Sequence, residues 1–152
     1  MFLDKKELDT LIKDIQGLKS KDRIALAKAN FDHLVKYFNI LLGDEKESKK
    51  YVHAFSFILL NADNNISDKE YTFIKSALRI NRPKETLKAY FNELNNKEYT
   101  IKSLKFISRS GDKTIKEALS LGISIIVSDN EVTKEESEWL LAVIKQLSSA
   151  NY

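Results

Sequence analysis

The chain has no cysteine, which removes disulfides, thiolate metal sites and cysteine nucleophiles together. One proline and four glycines in 152 residues are too few for a sheet built on tight turns, so helices are expected. Histidine occurs only as His33 and His53. With no second histidine at ligand spacing neither makes a zinc site, and a general base would need positioned partners. Both read as residues at the edge of a core. The longest nearly uncharged stretches, 52–62 and 118–128, fall short of the roughly 20 apolar residues that cross a bilayer. Asp4, Lys5, Lys6 and Glu7 interrupt the apolar start and argue against a secretory signal. The expectation is a cytoplasmic protein with no membrane insertion, reaching a membrane only through a partner.

What is present is helical periodicity over nearly the whole length. A chain of this size is expected to form one domain, 1–152, around a single core. Leu8, Leu11, Ile12, Ile15 and Leu18 make a first stripe, with Asp4 available as its cap. A second helix is predicted from near Asp22 through Ile24, Phe31, Leu34, Val35, Phe38 and Leu41, stopped by Gly43. Residues 44–50 read as a charged connection or first turn. Helix three, about 51–61, is apolar nearly all round and reads as buried. Helix four turns Phe73, Ile74, Ala77 and Leu78 inward. Pro83 suits the start of helix five, which Asn95 and Asn96 end. Helix six carries Ile101, Leu104 and Ile107 and closes at Gly111, and helix seven carries Ile115, Leu119, Ile123 and Ile126. Helix eight is predicted over about 134–147, through Trp139, Leu140, Val143 and Ile144. No stretch alternates as a strand. The fold class predicted is an all-α bundle of about seven to eight helices.

One phrase occurs twice, 66 residues apart. Leu60-Asn61-Ala62-Asp63-Asn64-Asn65-Ile66-Ser67-Asp68-Lys69-Glu70 returns as Ile126-Val127-Ser128-Asp129-Asn130-Glu131-Val132-Thr133-Lys134-Glu135-Glu136. Each copy separates two apolar helical stretches, so an internal repeat of 51–80 and 117–147 predicts two pseudo-symmetric helix–acidic loop–helix hairpins. Ser56 and Gly122 fall at equivalent positions. A glycine inside a helix costs about 1 kcal/mol against alanine, which points to close helix contact there.

The second part of each phrase fits the back half of an EF-hand loop, with Asp63 and Glu70, or Asp129 and Glu136, at its fifth and twelfth positions. The front half does not fit. The first and third ligand positions fall on Leu59 and Asn61 and on Ile125 and Val127, and three of these four have no side-chain oxygen. A calcium cage of six to eight oxygens cannot be built that way. Ser67-x-x-Glu70 and Thr133-x-x-Glu136 instead have the form of capping boxes, each worth about 1 kcal/mol without any metal.

The repeated phrase, Ala62-Asp63-Asn64-x-Ile66-Ser67-x-x-Glu70 and Ser128-Asp129-Asn130-x-Val132-Thr133-x-x-Glu136, resembles the tellurite-resistance TerB-like family and the related N-terminal domain of membrane-anchored DnaJ-like co-chaperones. The resemblance covers about residues 22–150. Where the family usually has glycine after the aspartate, this chain has Asn64 and Asn130. The resemblance implies an all-helical fold with two-fold pseudo-symmetry. It also implies divalent-metal binding (calcium, magnesium or manganese) at Asp63, Glu70, Asp129 and Glu136. By the same resemblance the chain is a non-enzymatic adaptor in stress response, tellurite resistance or phage defence.

Charge is distributed unevenly. Residues 79–116 hold ten basic and four acidic side chains, whereas residues 117–152 hold two basic and six acidic ones. Lys102, Lys105 and Arg109 are predicted on one face of helix six, opposite its apolar residues. Such asymmetry suits docking on protein partners. The alternative is a polyanion- or nucleic-acid-binding module using this basic middle. No stacking aromatics interleave with the stripe, which disfavours single-stranded nucleic acid.

Overall fold

The computed structural model describes residues 5–60, 66–127 and 142. Among these residues seven helices follow one another with no strand: α1 (Lys5–Gln16), α2 (Ser20–Leu42), α3 (Glu45–Leu60), α4 (Asp68–Ala77), α5 (Lys84–Leu94), α6 (Lys97–Ser108) and α7 (Asp112–Ile126). The protein is all-α, as the periodicity predicts. No helix among the described residues is long and apolar enough to cross a membrane. The eighth helix, predicted over 134–147, lies outside the described residues.

Local chemistry explains most helix ends. Gly43 takes φ +67° after α2, and its N–H donates to the Asn39 carbonyl at 2.8 Å, closing the helix in the left-handed conformation that glycine tolerates. The side chain of Asn96 accepts from the N–H of Tyr99 and caps α6. Pro83 stands at the cap of α5, one position before its first helical residue. Several boundaries differ from those predicted. Helix α6 ends at Ser108, and Gly111 instead stands at the N-cap of α7. Helix α2 begins at Ser20, two residues before Asp22. Of the two readings of the charged segment 44–50 the first-turn one holds, since α3 opens at Glu45 and not near Tyr51: Asp44 accepts from the N–H of Glu47 at 3.1 Å, and its carbonyl accepts from the N–H of Ser48. Glu45 and Glu47 lie in that first turn, where the helix dipole favours negative charge.

Helix α7 is the centre of the molecule. Every residue from Ala118 to Ile126 is buried, and so is Val127, so the end of this helix has no solvent face. α2, α3, α1, α4 and α6 all pack against it. Arg23 of α2, itself buried, donates from Nη1 to the Val127 carbonyl at 2.5 Å and from Nε to the Leu18 carbonyl at 3.2 Å. A cation at the end of α7 satisfies a carbonyl without an intrahelical partner and complements the helix dipole. Shifted by the 66-residue repeat, α3 coincides with α7 to within one residue at each end, and α2 and α6 each pack on both. Ser56 and Gly122 are both buried within these two helices.

Two aromatic clusters lock the outer helices to α3. In the first, Tyr51 meets Phe38 of α2 at a ring separation of 5.8 Å and Tyr99 of α6 at 4.9 Å. The second surrounds His53. Its ring stacks on Phe31 at 5.3 Å and meets Tyr90 of α5 edge-on at 5.7 Å. Nε2 lies 2.8 Å from the Leu78 carbonyl, which can only accept, and Nδ1 lies 2.8 Å from the Tyr90 hydroxyl. Nε2–H therefore donates to Leu78, and Nδ1 accepts from Tyr90. This is a neutral imidazole joining α3, the end of α4 and α5. Burial pushes its pKa down from 6.5 to about 4 and raises that of the Tyr90 phenol to about 12. His53 is thus a core residue, while the other histidine, His33, is exposed and sits 2.6 Å from Glu117.

A buried neutral histidine makes stability depend on acid. Above pH 6.5 the ring is neutral in both the folded and the unfolded chain and contributes no pH dependence. Between 6.5 and about 4 the unfolded chain takes up a proton that the fold excludes, so stability falls as pH falls. With one pKa unit worth about 1.4 kcal/mol, the loss across that window is on the order of 3 kcal/mol. Urea unfolding at pH 7.5, 5.5 and 4.5 checks this. The wild type should lose stability towards acid by this amount more than a His53→Gln variant, which is weaker at neutral pH but has no imidazole to titrate.

Candidate functional site

The first acidic turn is described from Ile66 onward. Ser67 adopts an extended backbone before α4, its hydroxyl accepts from the N–H of Glu70 at 3.0 Å, and its own N–H donates to Glu70 Oε1 at 3.1 Å. The predicted capping box is present. Glu70 is buried although it carries a carboxylate, because α4 packs on α2 and α7 and carries its first turn inward. Ile66 packs on the core just before the cap. Asp68, in the same first turn, is exposed and accepts from Lys84 Nζ at 2.6 Å. That hydrogen bond and the ammonium charge hold the Asp68 carboxyl below its usual range.

Of the four residues predicted to hold a divalent cation, Glu70 alone is described. Asp63, Asp129 and Glu136, with the second cap at Thr133, lie outside the described residues. Among the described residues no three carboxylates or imidazoles come together as a metal would require. Capping and ligation remain chemically compatible at Glu70, since an ionised carboxylate has about four acceptor sites.

Of the basic stripe, Lys102 and Lys105 stand on α6 and Arg109 at its C-cap. Lys102, Lys105 and Arg109 are all exposed, and among the described residues none of them forms an ion pair with an acidic side chain. Lys102 Nζ lies 5.9 Å from the centre of the Tyr51 ring. Lys113 and Lys116, on the first turns of α7, are exposed as well. One residue departs from its predicted place. Ile101, expected in the apolar face of helix six, is 44% exposed and lies on the outer face beside Lys102. Leu104 and Ile107 point inward, and Ser103 and Ser108 complete the buried face. Leu41, expected inward on the second helix, is 49% exposed for the same reason: the inward arc of α2 is taken by Ala27, Phe31, Leu34 and Phe38.

A third feature has no mark in the sequence. Arg79 follows the end of α4 with φ +53°, a non-glycine residue in the left-handed region, which costs an L-residue about 1 kcal/mol. Its Nε and Nη2 donate to both carboxylate oxygens of Asp32, 47 positions away, at 3.0 Å each. The arginine hydrogen bond is the main cause that holds the Asp32 carboxyl below its ordinary range. This fork ties the turn after α4 to α2 and walls one side of an open groove of about 500 Å³.

Comparison with protein-family models, with curated proteins and with solved structures yields no match. The TerB-like resemblance therefore rests on the repeated phrase itself.

The capping box carries a prediction. Ser67→Ala removes the acceptor for the Glu70 N–H and should destabilise the protein by about 0.5–2 kcal/mol, read as a lower urea midpoint with unchanged slope. Ser67→Asp, which keeps an acceptor at the cap, should recover most of the loss.

Proposed function

We propose that the chain is a non-enzymatic helical binding module that docks an acidic protein surface along the outer face of α6. The observation that carries this reading is the exposed row of Lys102, Lys105 and Arg109, without acidic partners among the described residues, beside the exposed Ile101. Unpaired cations on a rigid helix suit recognition of acidic side chains. They raise the association rate and set orientation more than they add affinity, while an apolar residue among them supplies contact area. The same cations could serve phosphates, which is the runner-up reading of a polyanion- or nucleic-acid-binding module. The protein reading is preferred because the exposed Ile101 borders the row, while Tyr99 and Phe106 of the same helix pack against the core and offer no open stacking platform.

The experiment is charge reversal. Replacing Lys102, Lys105 and Arg109 together by Glu should leave the circular dichroism and the unfolding midpoint close to wild type, because all three side chains are exposed. Capture of acidic proteins from a native lysate should fall by about ten-fold or more. Wild-type capture should also weaken as salt rises and the Debye length shortens to roughly 8 Å. Capture that survives the reversal removes this reading. Salt-sensitive retention on heparin, lost in the triple variant, with no acidic protein captured, would favour the polyanion reading.

A second reading concerns the acidic turns: a TerB-like stress-response or phage-defence adaptor that uses a divalent cation at Asp63, Glu70, Asp129 and Glu136. Its support is the repeated phrase together with the matching bounds of α3 and α7, which pack on each other. Titration calorimetry of chelator-treated protein with calcium, magnesium and manganese should give saturable heat, abolished by Asp63→Asn with Asp129→Asn. Absence of heat at millimolar metal would leave the caps as the whole role of these turns.

A further inference from the structure

We propose that the groove between α2, the opening turns of α3 and the turn after α4 binds a small anionic ligand of metabolite size, bearing a carboxylate or a phosphate ester. The volume, about 500 Å³, lies in the range of small-molecule sites, about 300–1,000 Å³, and is too small for a polymer or a folded partner. Helix geometry builds the walls. Asp32, Lys36 and Asn39 stand at i, i+4 and i+7 on α2 and share one face; Glu45 and Lys49 stand at i and i+4 on α3. Phe31 and Val35 form the floor, and stacking of Phe31 on His53 holds it in place.

The charge balance selects the ligand. Lys36, Lys49 and Arg79 face the groove against Asp32 and Glu45. Both Asp32 oxygens are taken by Arg79, and Glu45 reaches Lys49 only at 4.0 Å. Among the described residues the Lys36 ammonium and the Asn39 side-chain amide carry no hydrogen bond or ion pair, and Nη1 of Arg79 remains available. Outside the fork between Arg79 and Asp32 the lining sets Lys36 and Lys49 against the single carboxylate of Glu45, a net charge of +1. That balance favours an anion, which meets the two ammonium groups and the Asn39 amide N–H as donors. The left-handed backbone at Arg79 suits this role: it fixes the guanidinium against α2 before any ligand arrives, so binding needs little ordering of the wall. An apolar body on the ligand would rest on Phe31 and Val35.

The test is a nuclear magnetic resonance titration of the uniformly ¹⁵N-labelled chain at low ionic strength, with inorganic pyrophosphate in one series and citrate in the other. Saturable shifts confined to the groove residues, with affinity reduced about ten-fold by Lys36→Glu and by Lys49→Glu, would support the site. Lys88→Glu on α5, exposed and outside both the groove and the basic row, is the control for general electrostatics and should change it less than about two-fold. Tighter binding of pyrophosphate assigns a phosphate ester, and tighter binding of citrate a carboxylate. The proposal is overturned if neither probe saturates at millimolar concentration, or if Lys88→Glu weakens binding as much as Lys36→Glu.

Discussion

The burial of α7 on all sides governs the rest of this fold. A helix with ordinary amphipathicity needs one neighbour, whereas one that is apolar around its whole circumference must be enclosed. From Ala118 onward α7 offers Leu, Ile, Ala and small polar residues in every direction, and burying each large aliphatic side chain is worth about 1.5–3 kcal/mol. The enclosure is shared among α1, α2, α3, α4 and α6. The polar atoms it traps are answered locally: Ser124 returns its hydroxyl to the Ser120 carbonyl four residues back, and the Val127 carbonyl accepts from Arg23. Arg23 matters because a buried helix end without a partner would forfeit much of what the apolar contact gains.

Around that centre, charge and aromatic contacts set how the outer helices are placed. Among the described residues the cross-element ties include His53 to Tyr90 and Leu78, Tyr37 to the Phe106 carbonyl, Tyr99 to Glu47, His33 to Glu117, Arg79 to Asp32 and Lys84 to Asp68. The exposed ion pairs contribute little to stability in water. Their geometry does more than their energy: Arg79 with Asp32 fixes the end of α4 against α2, and Lys84 with Asp68 joins the first turns of α5 and α4. The fork from Arg79 to Asp32 is the clearest case, for it holds a strained residue in a defined position.

Three surfaces emerge, and they differ chemically. The first acidic turn uses its hydroxyl and carboxylate to begin α4, so a structural task accounts for Ser67 and for one oxygen of Glu70. Among the described residues Lys102, Lys105 and Arg109 have no acidic partner, and Lys102 alone of the three lies over an aromatic ring, that of Tyr51. The groove mixes both signs, and outside the fork between Arg79 and Asp32 its cations outnumber its carboxylates by one, Lys36 and Lys49 against Glu45. It is this division between satisfied and unsatisfied groups that separates surfaces suited to binding from surfaces suited to folding.

Sequence by itself determined the helical class, the order of the helices and most of their ends. Each of these is local: period, cap and breaker act within a few residues. Gly43, the Ser67–Glu70 box and the Asn95–Asn96 break were legible for that reason, and so was the basic face of α6, because three residues spaced by three and four must share a side. The inward placement expected of Leu41 and Ile101 failed, since a helix has room for only one buried arc and the neighbours choose which residues occupy its margins. Tertiary structure alone decided that His53 is a neutral clamp, that Arg23 caps a helix about a hundred positions away, and that Asp32, Lys36, Lys49 and Arg79 surround one groove. Those partners are brought together by packing across large separations in the chain, and no local pattern records such a meeting.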